Sequence, residues 1–228
     1  MAGDRAARGR IRVDLHIHTD ASFDCLTDPV RLVEHALSIG LDRIGVTDHN
    51  ELYNALMLKE RYPDRIVVGE EVKTAEGVDV IGFFIEEQIP RGTPARETCE
   101  RIRDQGGVVY VPHPFASGKG GGGRILQQIG DLVDAVEAFN ARLHSQSLNE
   151  RAAEWARENG LPTGAGSDAH TLAEVGRAFV ELPPFEDTPA SFLEALRQAS
   201  VHGTESPRRV HLASTWAKLR RKLPGGVS

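Results

Sequence analysis

"RIRVDLHIHTDASFDC", Arg10 to Cys25, gathers His16, His18, Asp14, Asp20 and Asp24 into one short run. It begins like a buried strand over residues 11–15, and residues two apart on a strand project from the same face. His16 and His18 therefore stand side by side like the jaws of a clamp. Burying two imidazoles without partners is costly, so this strand needs a reason to carry them.

Working outward, short apolar runs alternate with helical stretches. "DPVRLVEHALSIG" spaces Val30, Leu32, Val33, Ala36 and Leu37 as one helix face and closes on Gly40. "DRIGVTDHN" reads as a strand, "ELYNALMLKERY" as a helix stopped by Pro63, and "RIVVGEEV" and "VDVIGFFI" as two strands turning at Gly77. "TPARETCERIRDQGG" reads as a helix capped by Thr93 and ended at Gly106. "VVYVPHP", "LVDAVEAFN" and "LPTGAGSDAH" supply further strands, "LNERAAEWARENG" a helix between the last two, and "SFLEALRQAS" a final helix. Strands alternating with helices imply parallel βαβ units, and their number is nearer a closed α/β barrel than a small open sheet. An open doubly wound sheet is the alternative. The expected organisation is a flexible segment over 1–10, one catalytic barrel over 11–203 and a basic tail with a short helix over 204–228.

Composition narrows the function. Of 228 residues 40% are hydrophobic and 26% charged, as in ordinary globular chains, and the formal net charge of −6 argues against a general nucleic-acid coat. Two cysteines, Cys25 and Cys99, make neither a disulfide framework nor a thiolate zinc module. No run reaches the ~18 apolar residues of a membrane span, and the polar start "MAGDRAARGR" is no secretory signal. A cytoplasmic protein is the expectation.

Chemistry collects where strands end. Asp48 and His49 follow "RIGV", Glu70 and Glu71 close "RIVV", His113 follows "VVYV", and Asp168 and His170 follow "LPTGAG". In a parallel barrel those ends converge on one face, so His16, His18, His49, His113, Asp168 and His170 should share a pocket. Imidazoles and carboxylates without thiolates suit manganese, zinc or iron, and this many donors exceed what one ion uses. Two or three divalent metal ions are expected. His35, His144, His202 and His211 read better as ordinary turn or surface residues.

"DLHIHT", "TDHN", "GEEV", "PHPF" and "GSDAH", in that order, resemble the successive motifs of the PHP (polymerase and histidinol phosphatase) superfamily of metal-dependent phosphoesterases, over about Ile11 to Arg177. The resemblance implies a distorted (β/α)7 barrel. It implies metal ligation by His16, His18, His49, His113, Asp168 and His170, with Glu71 bridging metals and Asp24 standing where many members place a third histidine. The pleat lets only one of Glu70 and Glu71 face the pocket, and the family spacing from Gly69 selects Glu71. Where trinuclear members carry a further histidine, this chain offers Asp79, in a strand that reads equally well with that aspartate exposed.

The implied activity is hydrolysis of a small phosphorylated metabolite, a phosphomonoester such as histidinol phosphate or a nucleotide or nucleotide bisphosphate, by in-line attack of a metal-bound hydroxide on phosphorus. Asp168 and His170 would also handle protons. Lys119 and Arg124 of the glycine-rich "SGKGGGGRI", and Arg142 after "EAFN", would bind the phosphate, although a flexible loop and a solvated arginine are the plain alternatives. A PHP-type DNA exonuclease, a barrel keeping metal for structure or regulation, and a C–N hydrolase with a carboxylated lysine (Lys73 being the lysine near a motif) are rival readings. In the tail, Leu212, Trp216, Leu219 and Leu223 fall on one helical face. Docking of that stripe on the barrel is the expected arrangement, an anionic membrane or nucleic acid the alternative target. Deleting the tail should then change substrate ranking little.

Overall fold

The computed structural model describes residues 9–116 and 122–223. The chain runs β1 (Ile11–Ile17), α1 (Pro29–Ser38), β2 (Arg43–His49), α2 (Tyr53–Arg61), β3 (Ile66–Lys73), β4 (Asp79–Phe83), α3 (Ala95–Asp104), β5 (Val108–Val111), α4 (Gly122–Ile129), β6 (Ala135–Asn140), α5 (Gln146–Glu158), β7 (Thr163–Gly166), β8 (Ala178–Leu182), α6 (Pro189–Arg197), β9 (Ser200–Gly203) and α7 (Val210–Lys222). The described strands form one sheet in the order β7-β6-β5-β4-β3-β2-β1-β8-β9. Its two interior ends nearly meet: the residues after β7 reach β1, with Asp168 N–H donating to His16 O at 2.8 Å and His18 N–H to Ala169 O at 3.0 Å. The first seven strands thus wrap into a nearly closed barrel.

This is the distorted barrel expected, with two departures from a regular (β/α)7 pattern. β4 runs antiparallel to both β3 and β5, because β3 and β4 are joined by a tight turn rather than a helix. β8 and β9 are additional: β8 pairs antiparallel with residues 11–13 of β1, and β9 with β8. Helix starts follow local chemistry. Asp28 and Thr188 cap α1 and α6 by accepting from Arg31 N–H and Ser191 N–H, each with Pro at the first turn. At α3 the expected Thr93 cap is replaced. Thr93 Oγ1 turns back to Pro90 O, and Glu76 Oε2 accepts the Ala95 N–H instead.

Two irregularities decide where side chains point. The β1–β2 register slips by one residue between Asp14 and Ile17. Val13 and Leu15 join the apolar cluster of Val67, Phe83 and Tyr110, whereas Ile17 joins the cluster of Leu32, Val46 and Leu58. A bulge adds a residue and re-aims the side chains beyond it, so His16 can face the same side as Leu15. β6 slips likewise between Glu137 and Phe139. Beside these strands β7 is "TGAG", and a Cβ on Gly166 would lie 2.2 Å from His16 Cβ and 2.5 Å from Glu137 Oε1. Only glycine permits that approach. No helix among the described residues is long and apolar enough to cross a membrane.

One expectation about the tail is overturned. α7 forms, but its apolar stripe faces outward: Leu212 is 72% exposed, Trp216 57%, Leu219 53% and Leu223 57%. Ser214 and Ala217 are buried instead. The polar face makes bonds at the barrel mouth that the apolar residues could not, and those bonds set the helix's rotation.

Candidate metal centre

The mouth is the C-terminal end of the parallel strands, and the donors reach it from separate elements. His16 and His18 come from the end of β1, Asp24 from the loop after it, His49 and Glu71 from the ends of β2 and β3, His113 from the loop after β5, and Asp168 and His170 from the loop after β7. His16, His18 and Glu71 are at most 1% exposed, Asp24 and His170 at most 6%. His113 and Asp168 both take positive φ, 29° and 53°, a left-handed backbone rare outside glycine.

Glu71 lies at the centre. Its Oε2 is 2.9 Å from His49 Nδ1, 3.4 Å from His16 Nε2 and 3.5 Å from His18 Nε2, and its Oε1 is 3.1 Å from His113 Nε2. Glu70 projects to the other face, where it accepts the Ile89 N–H at 2.9 Å. Asp168 Oδ1 stands 3.3 Å from His18 Nε2 and 3.5 Å from His170 Nδ1. Asp24 Oδ1 faces His170 Nε2 at 3.2 Å and His49 Nε2 at 3.6 Å. Among the described residues, donor atoms of four overlapping trios lie within 4.8 Å of one another: His18, His49 and His170; His16, His113 and Asp168; His16, His18 and Glu71; and Glu71, Asp79 and His113. Asp79 is thus drawn to the centre, its side chain 12% exposed and bound to Lys73 Nζ at 2.6 Å.

The electrostatics suit cations. Burial would raise the Glu71 carboxyl, but His49, His16 and His113 hold it well below the usual range. Burial likewise opposes ionisation of Asp168, and His16, His18 and His170 overcome it. His18 is pushed down to about 3 by burial and by His170 and His49, which leaves a neutral imidazole with a free lone pair. Asp24 Oδ1, Glu71 Oε2, Asp79 Oδ1 and His170 Nε2 are buried without a hydrogen-bond partner. Buried polar atoms are normally satisfied, and these orphaned donors, converging on one mouth, match what divalent ions would complete.

A supporting layer was not visible in the residue pattern. Glu137 Oε1 holds His16 Nδ1 at 3.0 Å, while its Oε2 accepts from His113 N–H and Asn140 Nδ2. Asp48 accepts from Thr19 and Ser22, and Ser22 Oγ lies 3.1 Å from His18 Nδ1. Fixing the outer nitrogen aims the inner one. The bulge in β6 brings Glu137 and Asn140, three apart, to one side, which alternation alone would not suggest.

The three cations expected at a phosphate are dispersed. Arg142 is already engaged, with Nε 3.1 Å from Glu174, one terminal nitrogen 2.6 Å from His170 Nδ1 and the other donating to Ser214 Oγ at 2.8 Å. Arg124 is exposed near the start of α4. Lys119 lies outside the described residues. His144 and His211, expected on the surface, meet at the rim with their Nε2 atoms 2.8 Å apart.

A nearly closed barrel with histidines and carboxylates massed at one mouth defines a metal-binding class. Family models describe the same chain as a PHP domain over residues 14–91 and a PHP-associated region over 146–201. The chain belongs to the PHP family. An uncharacterized protein of Methanocaldococcus jannaschii is 31% identical over 82% of this chain and 79% of its own length. Among solved structures, PsfC of Pseudomonas syringae superposes with a TM-score of 0.67 at 22% identity over 92% of this chain and 98% of its own. A proposed metal-dependent phosphoesterase of Bifidobacterium adolescentis gives 0.57 at 17% over 70% and 87%. The lesion-specific endonuclease EndoQ of Pyrococcus furiosus gives 0.61 at 16% over 84% and 57%. At these identities the likenesses establish the fold.

Proposed function

We propose that the protein is a metal-dependent phosphoesterase that hydrolyses a small phosphorylated molecule, a phosphomonoester or a nucleotide bisphosphate. The observation that carries this reading is Glu71, one carboxylate in reach of four histidines, with orphaned donors of Asp24, Asp79 and His170 around it. His16, His18, Glu71, His113 and Asp168 would hold metal on one side and Asp24, His49 and His170 on the other, with Asp79 completing a third position beside Glu71 and His113. Divalent manganese, zinc or iron bound there supplies an activated water and neutralises phosphoryl charge.

The chain's own groups do the rest. Asp168, kept ionised by its histidines, offers charge and a ligating oxygen at the reacting centre. His170 is held at Nδ1 by Arg142 and Asp168 O, which leaves its Nε2 turned toward Asp24. Arg124, exposed near the start of α4, stands as a phosphate contact in this reading. Glu137 keeps His16 aimed inward. Glu137→Gln should therefore weaken metal retention in a chelator competition by about tenfold or more while the fold persists, since outer partners of ligating histidines commonly contribute that much.

A PHP-type nuclease is the second reading, favoured by the fold shared with EndoQ. The net charge of −6 and the packing of α7 over the mouth support a small substrate instead. Manganese-loaded protein should release phosphate from a nucleotide panel or histidinol phosphate at higher kcat/KM than it shortens a labelled oligonucleotide. The reverse order would make the nuclease the correct assignment.

A further inference from the structure

α7 lays four polar residues, His211, Ser214, Lys218 and Arg221, toward the barrel at spacings of three and four, one face of a helix. Each meets the mouth. His211 meets His144, Ser214 accepts from Arg142, and Arg221 donates to Cys25 O at 3.2 Å and to Asp20 O. Lys218 Nζ stands 3.3 Å from Asp24 Oδ2 and 5.0 Å from the centre of the Phe23 ring, which itself lies 5.2 Å from the His49 ring. The Lys218 side chain is 45% exposed, so one side of the ammonium is open to an incoming group.

The two oxygens of Asp24 point to different tasks. Oδ1 is turned to His49 and His170 and has no hydrogen-bond partner, whereas Oδ2 faces Lys218. A cation taken up on the Oδ1 side would share this one carboxylate with the ammonium. The carboxylate bridges the two, but the ammonium has three N–H donors and spends one on Asp24 Oδ2, so its open side keeps donors and positive charge for a further anion. Phosphate oxygens are such anions, and lysine binds them as a point charge. Phe23 holds the ammonium beside the site through its ring face.

We infer that α7 is a built wall of the substrate site and that the Lys218 ammonium binds an anionic oxygen of the substrate's phosphate group. The inference rests on the phosphoesterase reading and extends it to a residue outside the motifs. It also reverses the expectation that the tail is dispensable for substrate choice.

The test uses full-length, manganese-loaded protein with inorganic phosphate as the probe, in titration calorimetry, beside steady-state kinetics on the best small ester. Lys218→Met keeps the aliphatic stem over Phe23 and removes the charge. It should weaken phosphate binding and raise KM by about tenfold with kcat little changed, the range expected for one charge-assisted hydrogen bond. Lys218→Arg should recover most of the loss, and Leu219→Ser on the outward face should match the wild type. If phosphate affinity is unchanged in Lys218→Met, or falls equally in Lys218→Arg with a lowered Tm, Lys218 is a tether for α7 and the inference is wrong. Phosphate binding sensitive to Lys218 in a protein that hydrolyses no ester would instead overturn the phosphoesterase reading and leave the subsite standing. A wild type that binds no phosphate overturns both.

Discussion

Asp168→Asn should lower phosphoester hydrolysis by roughly three orders of magnitude, as expected when a group that positions the nucleophile and its charge is lost. The change is nearly isosteric. Asn tolerates the left-handed backbone that Asp168 adopts at φ 53°, so the strand-end turn has no reason to unfold. What disappears is the charge that His16, His18 and His170 stabilise, on a carboxylate whose Oδ1 lies 3.3 Å from His18 Nε2. His18→Ala should be as severe, because it removes a neutral imidazole that Ser22 and Asp48 aim inward. Circular dichroism and thermal melting on the same samples separate loss of chemistry from loss of fold. An Asp168→Asn variant that retains a tenth of wild-type kcat/KM would remove Asp168 from the reacting centre.

The donors were legible because barrel topology turns sequence position into geometry. A histidine or carboxylate directly after an apolar run lands at one mouth, whatever its distance along the chain. His49, His113 and His170 were readable on that ground alone. Three features were not. β8, "AFVEL", is only five residues, too short a run to stand out, and β9, "SVHG", is exposed throughout and carries no apolar run. Glu137 sits in an ordinary alternating stretch, and only a bulge, invisible in residue type, brings it under His16. The apolar stripe of α7 predicts burial of that stripe, but the helix's rotation is set by specific bonds of Ser214, Lys218 and Arg221 with groups far away in sequence. Periodicity measures what a helix could bury; it does not report what the partner surface offers.

Adjacent glutamates on β3 give the sharpest contrast. Metal-reconstituted wild type should carry at least two equivalents of transition metal, because the donors gathered at the mouth exceed the coordination of any single ion. Glu71→Gln should drop this to about one or fewer and abolish turnover, since its two oxygens are the shared element among His16, His18, His49 and His113. Glu70→Gln should retain metal and activity. Its carboxyl faces the apolar side, where burial pushes it up to about 7, and its bond from Ile89 N–H survives in the amide. An ordinary glutamate in the unfolded chain ionises near 4.5. Between these values the folded protein holds a proton that the unfolded chain has released, so Glu70 weakens the fold progressively as pH rises from 4.5 to about 7, and fully above that. Glutamine does not titrate. Glu70→Gln should thus have a higher Tm than wild type at pH 8 and a shrinking advantage toward pH 5, whereas Glu71→Gln should show neither full metal loading nor activity at either pH. Elemental analysis and paired melting curves read both outcomes. Metal loss in Glu70→Gln, with metal kept in Glu71→Gln, would mean that β3 presents the opposite face to the mouth in solution.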